Sequence, residues 1–455
     1  MTQPDSFETW RKGFGPIVHS DETIERVRAL AATTGVGAET LYRILIAADR
    51  LAGAAMWTVV HMSYAERVDL SGAPLPADAF KTTPEGHTGG SLNMVPAFVG
   101  YLAANALSAR TRAWLMGQGH SVAAIEAVNA LTGDVSRGQQ GRYDRSEAGL
   151  SRLAADFYSY AIAADGAAAV PLGSHAGPNT AGAISEGGYL GFAEVQYVHM
   201  PLPGESLVAF LSDGAFEEQR GSDWTPRWWR AEDSGFAIPV MILNGSRIEE
   251  RAQIAQQGGA EWLADHLRLN GFDPFAIDGR DPAAFAWAIV EAEQRLERFI
   301  TDPARRYPAP IPYVIAETVK GYGFPGAGTN AAHNLPLAGN PALDEAARRT
   351  FNEAAAVLFV PPDEIAQAVE TLAVHDAQRR PLESRHPLAL RRPQAPTPPE
   401  PRWDQAGAPP DCAMHALDRW FVRLVDANPA LRVRVGNPDE LRSNHMGAAL
   451  ERLRH

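Results

Sequence analysis

The first 60 residues place apolar side chains at the spacing of a helix. The segment SDETIERVRALAA opens with the acidic pair Asp21 and Glu22, which favours the first turn of a helix. LYRILIAADRLAGAAMW follows, with apolar residues every three or four positions. These patterns predict an N-terminal helical segment over residues 1–60.

The pattern changes between about residue 85 and residue 320, where short apolar runs alternate with amphipathic stretches. Strands that alternate with helices predict an α/β fold, with a doubly wound, mostly parallel sheet and helices on both faces. Ligands of such sheets bind at the carboxyl ends of the strands. The predicted strands and one predicted helix are SLVAFLSDG (206–214), IPVMILNG (238–245), IPYVIAETVKG (311–321) and AAFAWAIVEAEQRLERFI (283–300).

A Pro-rich stretch divides the C-terminal part of the chain. Residues 341–390 carry the pattern of peripheral helices, whereas RRPQAPTPPEPRWDQAGAPP (391–410) lacks apolar periodicity, which is typical of an interdomain linker. Residues 411–455 then predict a helix (CAMHALDRWFVRLVDANP), a strand (LRVRVGNPDE) and a further helix. We therefore expect one α/β domain over residues 61–340 and the first elements of another over residues 411–455.

Composition narrows the class of protein. A net charge of -13 argues against a nucleic-acid surface, because phosphate backbones are bound by clustered Lys and Arg. The sequence contains no run of about 18 apolar residues, so it predicts no membrane span. The start, MTQPDSFETWRKG, has no apolar signal-peptide core. Cys412 is the single cysteine, which argues against a disulfide framework and for a reducing compartment. A cytoplasmic enzyme is the resulting expectation.

Two polar turns end two of the predicted strands. The turn SDG (212–214) is followed, after 29 residues, by the turn NGS (244–246). A carboxylate from Asp213 and an amide oxygen from Asn244 can share one hard cation, and Mg²⁺ takes such ligands together with diphosphate oxygens. Asp-Gly and Asn-Gly are also ordinary turn sequences, so these turns alone leave a purely structural role open.

Four of the 13 histidines stand in glycine-rich turns. Imidazole can donate to diphosphate or sugar oxygens and can exchange protons near pH 7. A lone histidine in a loop is usually a structural hydrogen-bonding group, but four in the turns of one α/β domain favour a functional site. The turns are EGHTGGS (His87), GQGHS (His120), GSHAGPNTAGAISEGGYLG (His175) and AAHNLPL (His333).

The order of these turns resembles that in phosphoketolases, which are thiamine-diphosphate (ThDP) enzymes of the transketolase superfamily. Phosphoketolases carry a GHWGTTPG-like turn, then GPGHG, GGISSHxxPxTPGSIxEGGELG, GDG…LNGYKI, PKG and RAHQVPL. This chain carries GHTGGS, GQGHS, PLGSHAGPNTAGAISEGGYLG, SDG…LNGSRI, VKG and AAHNLPL in the same order. The similarity runs from about residue 40 to residue 340 and resumes over residues 411–455. It implies that residues 61–340 form a diphosphate-binding domain and that residues 411–455 open a pyrimidine-binding domain.

The resemblance also implies roles for individual residues. The residues that it places around the reactive carbon of ThDP and the ketose substrate are His87, His120, His175, His333 and Lys320. The metal is Mg²⁺, with Ca²⁺ as a substitute in vitro, and its implied ligands are the side chains of Asp213 and Asn244 and the backbone carbonyl of Ser246. The further positions that it implies for cofactor binding are Gly188, Tyr189 and Gly214, in addition to Asp213, Asn244, His120 and Lys320.

Several positions depart from the phosphoketolase pattern. Gly90 replaces a Thr of the first turn, Tyr189 replaces a Glu, and residues 215–219 replace EAETG. The Trp and Pro of GHWGTTPG are missing as well. Because these positions surround the cofactor and substrate in the family, the resemblance leaves three reactions open: phosphoketolase cleavage, transketolase-like ketol transfer and epimerisation of a ketose.

A partner chain is a further implication of the resemblance. The glutamate that activates ThDP lies deep in the pyrimidine-binding domain of these enzymes, and Glu440 matches a different active-site glutamate. We therefore expect a second subunit that carries the rest of the pyrimidine-binding domain and the C-terminal domain, with a sugar phosphate or related ketose as substrate. The alternative is a non-catalytic regulatory subunit with the ThDP fold.

Overall fold

A computed structural model describes most of the chain. The described residues are 5–135, 139, 141–166, 169–170, 203–218, 229–232, 234–247, 250–374, 385, 390, 392, 396–400, 412–431, 433, 435 and 441–453. By their contacts they form two compact units, Met1–Arg380 and Pro381–His455. The finer division into domains that the sequence predicts stays a prediction.

A five-stranded parallel sheet lies in the first unit, with the spatial order β1-β2-β3-β7-β6. The strands are β1 (Ala113–Met116), β2 (Ser206–Ser212), β3 (Phe236–Leu243), β6 (Phe272–Asp278) and β7 (Ile311–Glu317), and a short antiparallel hairpin consists of β4 (Ser246–Arg247) and β5 (Glu250–Arg251). The strands predicted within 206–214, 238–245 and 311–321 are confirmed as β2, β3 and β7.

Both faces of this sheet are covered. Along β2, Val208 and Phe210 enter one hydrophobic core, whereas Leu207 and Leu211 enter another. Successive residues of a strand point to opposite faces, so a strand that is apolar at every position needs packing on both sides. The predicted doubly wound α/β class is confirmed.

The first unit is rich in helices. They are α1 (Ser6–Arg11), α2 (Asp21–Thr34), α3 (Ala38–Tyr64), α4 (Thr88–Ser108), α5 (Val122–Thr132), α6 (Glu147–Asp156), α7 (Asp213–Glu218), α8 (Gln253–Gln257), α9 (Ala260–Leu269), α10 (Pro282–Thr301), α11 (Glu345–Leu358) and α12 (Pro362–Leu372). The N-terminal helical pattern is confirmed as α2 and α3, and the helix predicted over 283–300 is confirmed as α10.

The long helix α3 lies inside the larger hydrophobic core. It packs against α4, α5 and α12, and its side chains are buried almost continuously from Leu41 to Tyr64. By length and composition α3 could cross a membrane, with a mean hydropathy of 1.3 in its most apolar window, but 89% of that window is buried inside the protein. Such burial is typical of a helix in the core of a protein. Among the described residues, α3 is the single helix that is long and apolar enough to cross a membrane.

The second unit contains two described helices, α13 (Ala413–Ala427) and α14 (Gly447–Arg452). Asp418 of α13 is buried and accepts hydrogen bonds of 2.7 Å from the backbone N–H groups of Ala448 and Ala449. One carboxylate thereby binds the first turn of α14. The helix predicted after the linker is confirmed as α13, whereas most of the strand predicted over 431–440 and most of the linker over 391–410 lie outside the described residues.

Candidate active site

Four neighbouring strands end at one edge of the sheet. Because β1, β2, β3 and β7 are adjacent and parallel, the turns that follow them lie side by side. This is the edge at which α/β sheets bind ligands. The predicted site residues on these turns are His120 after β1, Asp213 after β2, Asn244 after β3 and Lys320 after β7.

Three of the four predicted histidines lie together, and we call them the histidine cluster: His87, His120 and His333. The ring centroid of His87 lies 5.6 Å from that of His120 and 5.4 Å from that of His333, and 5.9 Å separates His120 from His333. His333 also lines a pocket together with Asn330 and Asn334. Segments far apart in the sequence thus converge on one group of proton-exchanging side chains.

The start of α4 positions His87, which is the N-cap residue of that helix. The backbone N–H of His87 donates to the Tyr158 hydroxyl over 3.0 Å. A Cβ on Gly89 would lie 2.1 Å from the carbonyl oxygen of Ala332, so only glycine lets this turn approach the turn that carries His333. The glycine-rich sequence therefore has a packing reason as well as a chemical one.

Lys320 adds a positive charge to this edge. Its side chain is 3% exposed, and burial lowers its pKa to about 8 while the Asp213 carboxylate opposes the decrease. Burial, the charge of Lys320 and His87 together lower the pKa of His333 to about 4. At pH 7 the site therefore combines a mostly cationic lysine with a neutral imidazole.

The two turns predicted to hold a metal are joined directly. Asp213 is buried; its Oδ2 accepts from the backbone N–H of Gly245 at 2.8 Å, and its Oδ1 accepts from that of Gly214 at 2.9 Å. Asn244 Oδ1 accepts from the backbone N–H of Ser246 at 3.1 Å. The carboxylate at the end of β2 thus fixes the turn at the end of β3.

These oxygens fit a hard cation. Burial raises the pKa of Asp213 to about 6, against the effect of its two backbone hydrogen bonds. The two hydrogen bonds and the charge of Lys320 compensate only in part for the burial of this carboxylate. Each carboxylate oxygen keeps a lone pair beyond its one hydrogen bond, which suits Mg²⁺. Metal ligation by Asp213, Asn244 and the Ser246 carbonyl stays a prediction.

The other predicted site residues divide into two groups. Gly214 follows Asp213 in the first turn of α7, where its N–H binds that carboxylate. His175, Gly188 and Tyr189 lie outside the described residues.

Sequence reasoning missed several polar residues of this region. Tyr158 supports the backbone of the histidine cluster. Gln118 and Ser121 flank His120, and both are buried. In the described structure Gln118 Oε1, Ser121 Oγ and Glu217 Oε2 are buried atoms without a hydrogen-bond partner. The sequence offered one signal for two of these residues, because Gln118 and Ser121 lie in the same GQGHS turn as His120.

The chain is an α/β protein with a cluster of polar side chains at the carboxyl edge of its sheet, and comparison with known proteins gives its family. The chain belongs to the family described as the XFP N-terminal domain, whose family model matches residues 43–351, more than half of the chain. The relationship predicted from the order of the turns is confirmed.

Curated relatives carry the same family name. The chain is 27% identical over 248 residues to a protein of Rhodopseudomonas palustris strain BisB5 named "probable phosphoketolase", an alignment that covers 50% of this chain and 30% of the relative. It is 30% identical over 241 residues to a protein of Streptomyces coelicolor with the same name, covering 49% of this chain and 29% of the relative. The matched region therefore spans about a third of these relatives.

Solved transketolases are more distant. Transketolase from Leishmania mexicana gives a TM-score of 0.42 at 17% identity and covers 89% of this chain and 57% of that protein. Transketolase from Campylobacter jejuni gives a TM-score of 0.42 at 15% identity and covers 74% of this chain and 47% of that protein. These values are too low to add to the assignment, which rests on the family match.

Proposed function

We propose that the chain is the diphosphate-binding part of a ThDP- and Mg²⁺-dependent enzyme that acts on a phosphorylated ketose. The observation that supports this most is the sheet edge itself. There the buried Asp213 is joined to the Asn244 turn, with Lys320 on the next strand and the histidine cluster beside it. The names of the curated relatives favour phosphoketolase-like cleavage of a C–C bond.

Each group has a distinct proposed task. When bound, ThDP supplies an electron sink for cleavage of a C–C bond in the ketose. Asp213 and Asn244 hold Mg²⁺ with their side-chain oxygens, together with the Ser246 carbonyl. Lys320 offers a buried cation to phosphate oxygens.

The histidine cluster serves the sugar hydroxyls in this proposal. A neutral imidazole can accept a hydrogen bond at one ring nitrogen and donate one at the other. His333 suits this role because its pKa of about 4 keeps it uncharged near pH 7. The flanking His87 and His120 lie close enough to contact the same small ligand, at 5.4 Å and 5.9 Å between ring centroids.

A second polypeptide belongs to the same proposal. The alignments cover about 30% of the length of the curated relatives, so most of each relative lies outside the matched region. We propose that a partner subunit contributes the remaining pyrimidine-binding domain and a C-terminal domain. Affinity purification of the tagged chain from its native cells, followed by mass spectrometry, tests this. Recovery of the chain alone, at the mass of a monomer or homo-oligomer, would contradict it.

Product analysis tests the reaction. The purified assembly is incubated with xylulose 5-phosphate, inorganic phosphate, ThDP and Mg²⁺, and acetyl phosphate is measured as its hydroxamate. Formation of acetyl phosphate supports the phosphoketolase reaction. Ketol transfer to an added aldose would support the transketolase-like reaction instead. An epimeric ketose as product would support epimerisation instead. Binding of ThDP without any turnover would favour a regulatory subunit.

A further inference from the structure

Two buried polar side chains of the turn that carries His120 face the first turns of α4. Gly90 and Met94 are four residues apart on α4 and therefore share one face of that helix. Gly90 faces Ser121, and Met94 faces Gln118, whose Nε2 lies 3.9 Å from the methionine sulfur. The side chains of Ser121 and Gln118 thus belong to one turn and face one helix.

Both of these side chains are buried and incompletely hydrogen-bonded. Ser121 is 1% exposed and Gln118 is 3% exposed. Gln118 Nε2 makes a long contact of 3.5 Å to the Leu211 carbonyl, while Gln118 Oε1 and Ser121 Oγ have no partner within the described residues. Buried polar groups in native proteins are nearly always satisfied, so an unpaired hydroxyl and an unpaired amide oxygen in one turn point to a polar ligand.

The absence of a side chain at position 90 makes room for the Ser121 hydroxyl. A Cβ on Gly90 would lie 2.8 Å from Ser121 Oγ and 3.1 Å from His120 Nε2. The first distance is closer than real Cβ contacts allow, so a side chain at 90 and a hydroxyl at 121 compete for one volume. The phosphoketolase-like turns GHWGTTPG and GPGHG have Thr and Gly at the corresponding positions, whereas this chain has Gly90 and Ser121.

We propose that the Ser121 hydroxyl is a ligand-binding group that replaces a side chain at position 90 and binds a hydroxyl group of the ketose beside His120. The choice of ligand rests on the proposed function. A hydroxyl both donates and accepts, which matches a serine hydroxyl paired with the acceptor oxygen of Gln118. A phosphate oxygen at neutral pH mostly accepts and matches Gln118 Oε1 poorly.

Binding measurements on single variants test the ligand role. ThDP with Mg²⁺, and then xylulose 5-phosphate without inorganic phosphate, are titrated calorimetrically into the purified assembly that carries the unaltered chain, Ser121→Ala or the control Ser206→Ala. Ser206 is a buried serine at the opposite end of β2. We expect Ser121→Ala to weaken ketose binding by roughly three- to tenfold, the effect of one neutral hydrogen bond, and to leave ThDP affinity unchanged. The control should alter neither affinity.

A relocated hydroxyl tests the exchange between the two positions. Gly90→Ala should lower the unfolding temperature of the unaltered chain, and it should do so less when combined with Ser121→Gly, because the closer of the two contacts is then removed. The double variant Gly90→Ser with Ser121→Gly should regain ketose affinity relative to Ser121→Gly alone. Equal costs of Gly90→Ala in both backgrounds would overturn the steric part of the inference.

The outcomes separate this inference from the proposed function. If the unaltered chain binds ThDP and the ketose, but Ser121→Ala binds both equally well, the inference fails and the proposed function stands. A loss of ThDP affinity in Ser121→Ala as large as the loss of ketose affinity would also overturn the ketose assignment. Failure of the purified assembly with the unaltered chain to bind either compound would refute the proposed function and the ligand role with it.

Discussion

Lys320 and His333 influence each other through charge. The positive charge of Lys320 is the second cause, after burial, of the low pKa of His333, about 4. Replacing Lys320 by Met removes that charge and keeps the length of the side chain. We expect the pKa of His333 to rise toward its usual value near 6.5, although burial keeps it below that value. Titration of the histidine ring signals by NMR in the ligand-free protein measures the change.

Lys81 provides the matched control for this experiment. It is also a buried lysine, with a pKa lowered to about 8 by burial, but it donates to the carbonyls of Met62 and Phe157. It does not contribute to the pKa of His333. Lys81→Met should leave the His333 titration unchanged, and an equal shift in both variants would indicate a general loss of packing.

The sequence pattern identified the candidate site residues but not the residues that hold them in place. His87, His120 and His333 stood out because glycine-rich turns are rare places for several histidines, and the cluster confirms that they converge. The contact of Tyr158 with the His87 backbone joins segments 71 residues apart and follows no local pattern. Such pairs become visible only when the tertiary fold is known.

At the scale of elements, His19 joins three segments of the first unit. Its Nε2 lies 3.1 Å from Asp49 Oδ2 on α3, and its Nδ1 lies 2.9 Å from Asp281 Oδ2 at the N-cap of α10. Trp10 of α1 stacks on the ring at 4.3 Å between centroids. Burial alone would lower the pKa of His19, but hydrogen bonds to Asp281 and Asp49 outweigh it and raise the pKa to about 10.

His19→Gln should therefore destabilise the protein in a pH-dependent way. Because the pKa is near 6.5 in the unfolded chain, the stabilisation by charged His19 is complete below pH 6.5, decreases as the pH rises and is lost above pH 10. At pH 7 the loss in free energy of unfolding should be about 3 kcal/mol, since a buried ion pair is broken. Urea unfolding of both proteins between pH 7 and 10 should show the difference shrinking.

His61 is the control for this titration. It is a buried histidine on α3 whose pKa burial lowers to about 4, so it is neutral throughout the range from pH 7 to 10. The cost of His61→Gln should be constant over that range. A constant cost of His19→Gln would contradict the charged state assigned to His19.

The elements themselves were partly predictable. The runs that became β2, β3 and β7 are apolar at almost every position, as strands buried on both faces must be. β6 was not predicted; it alternates between buried and partly exposed positions and contains Pro274. β6 is an edge strand, and its position depends on the order of the whole sheet, which the local pattern does not show.

At the scale of the whole molecule, the described site residues all belong to one unit. His87, His120, Asp213, Lys320 and His333 lie within Met1–Arg380. We expect a shortened chain of residues 1–380 to fold and to bind ThDP with Mg²⁺ within roughly twofold of the affinity of the full chain. Circular dichroism verifies folding, and calorimetry measures affinity. A folded fragment without ThDP affinity would assign part of the binding site to the second unit.

The subunit composition of the assembly was the feature that the sequence predicted least directly. Alternating strands and helices determine a layered α/β unit from local pattern alone, and the family match over 43–351 supports that unit. The predicted partner depends on residues that the chain does not share with its relatives, whose alignments cover 30% of their length. Local pattern carries no information on those residues, so the partner stays a prediction.

The central claim is that Asp213 and Asn244 bind the metal and diphosphate of ThDP at the sheet edge. Calorimetric titration of ThDP in the presence of Mg²⁺ into the purified assembly that carries Asp213→Asn tests it most directly, with Asp278→Asn as control. Asp278 ends β6, at the same edge of the same sheet, but pairs with Arg280. The account predicts Mg²⁺-dependent binding to the unaltered chain and the control, and at least about tenfold weaker binding to Asp213→Asn. Equal ThDP affinity in Asp213→Asn and the unaltered chain would contradict it.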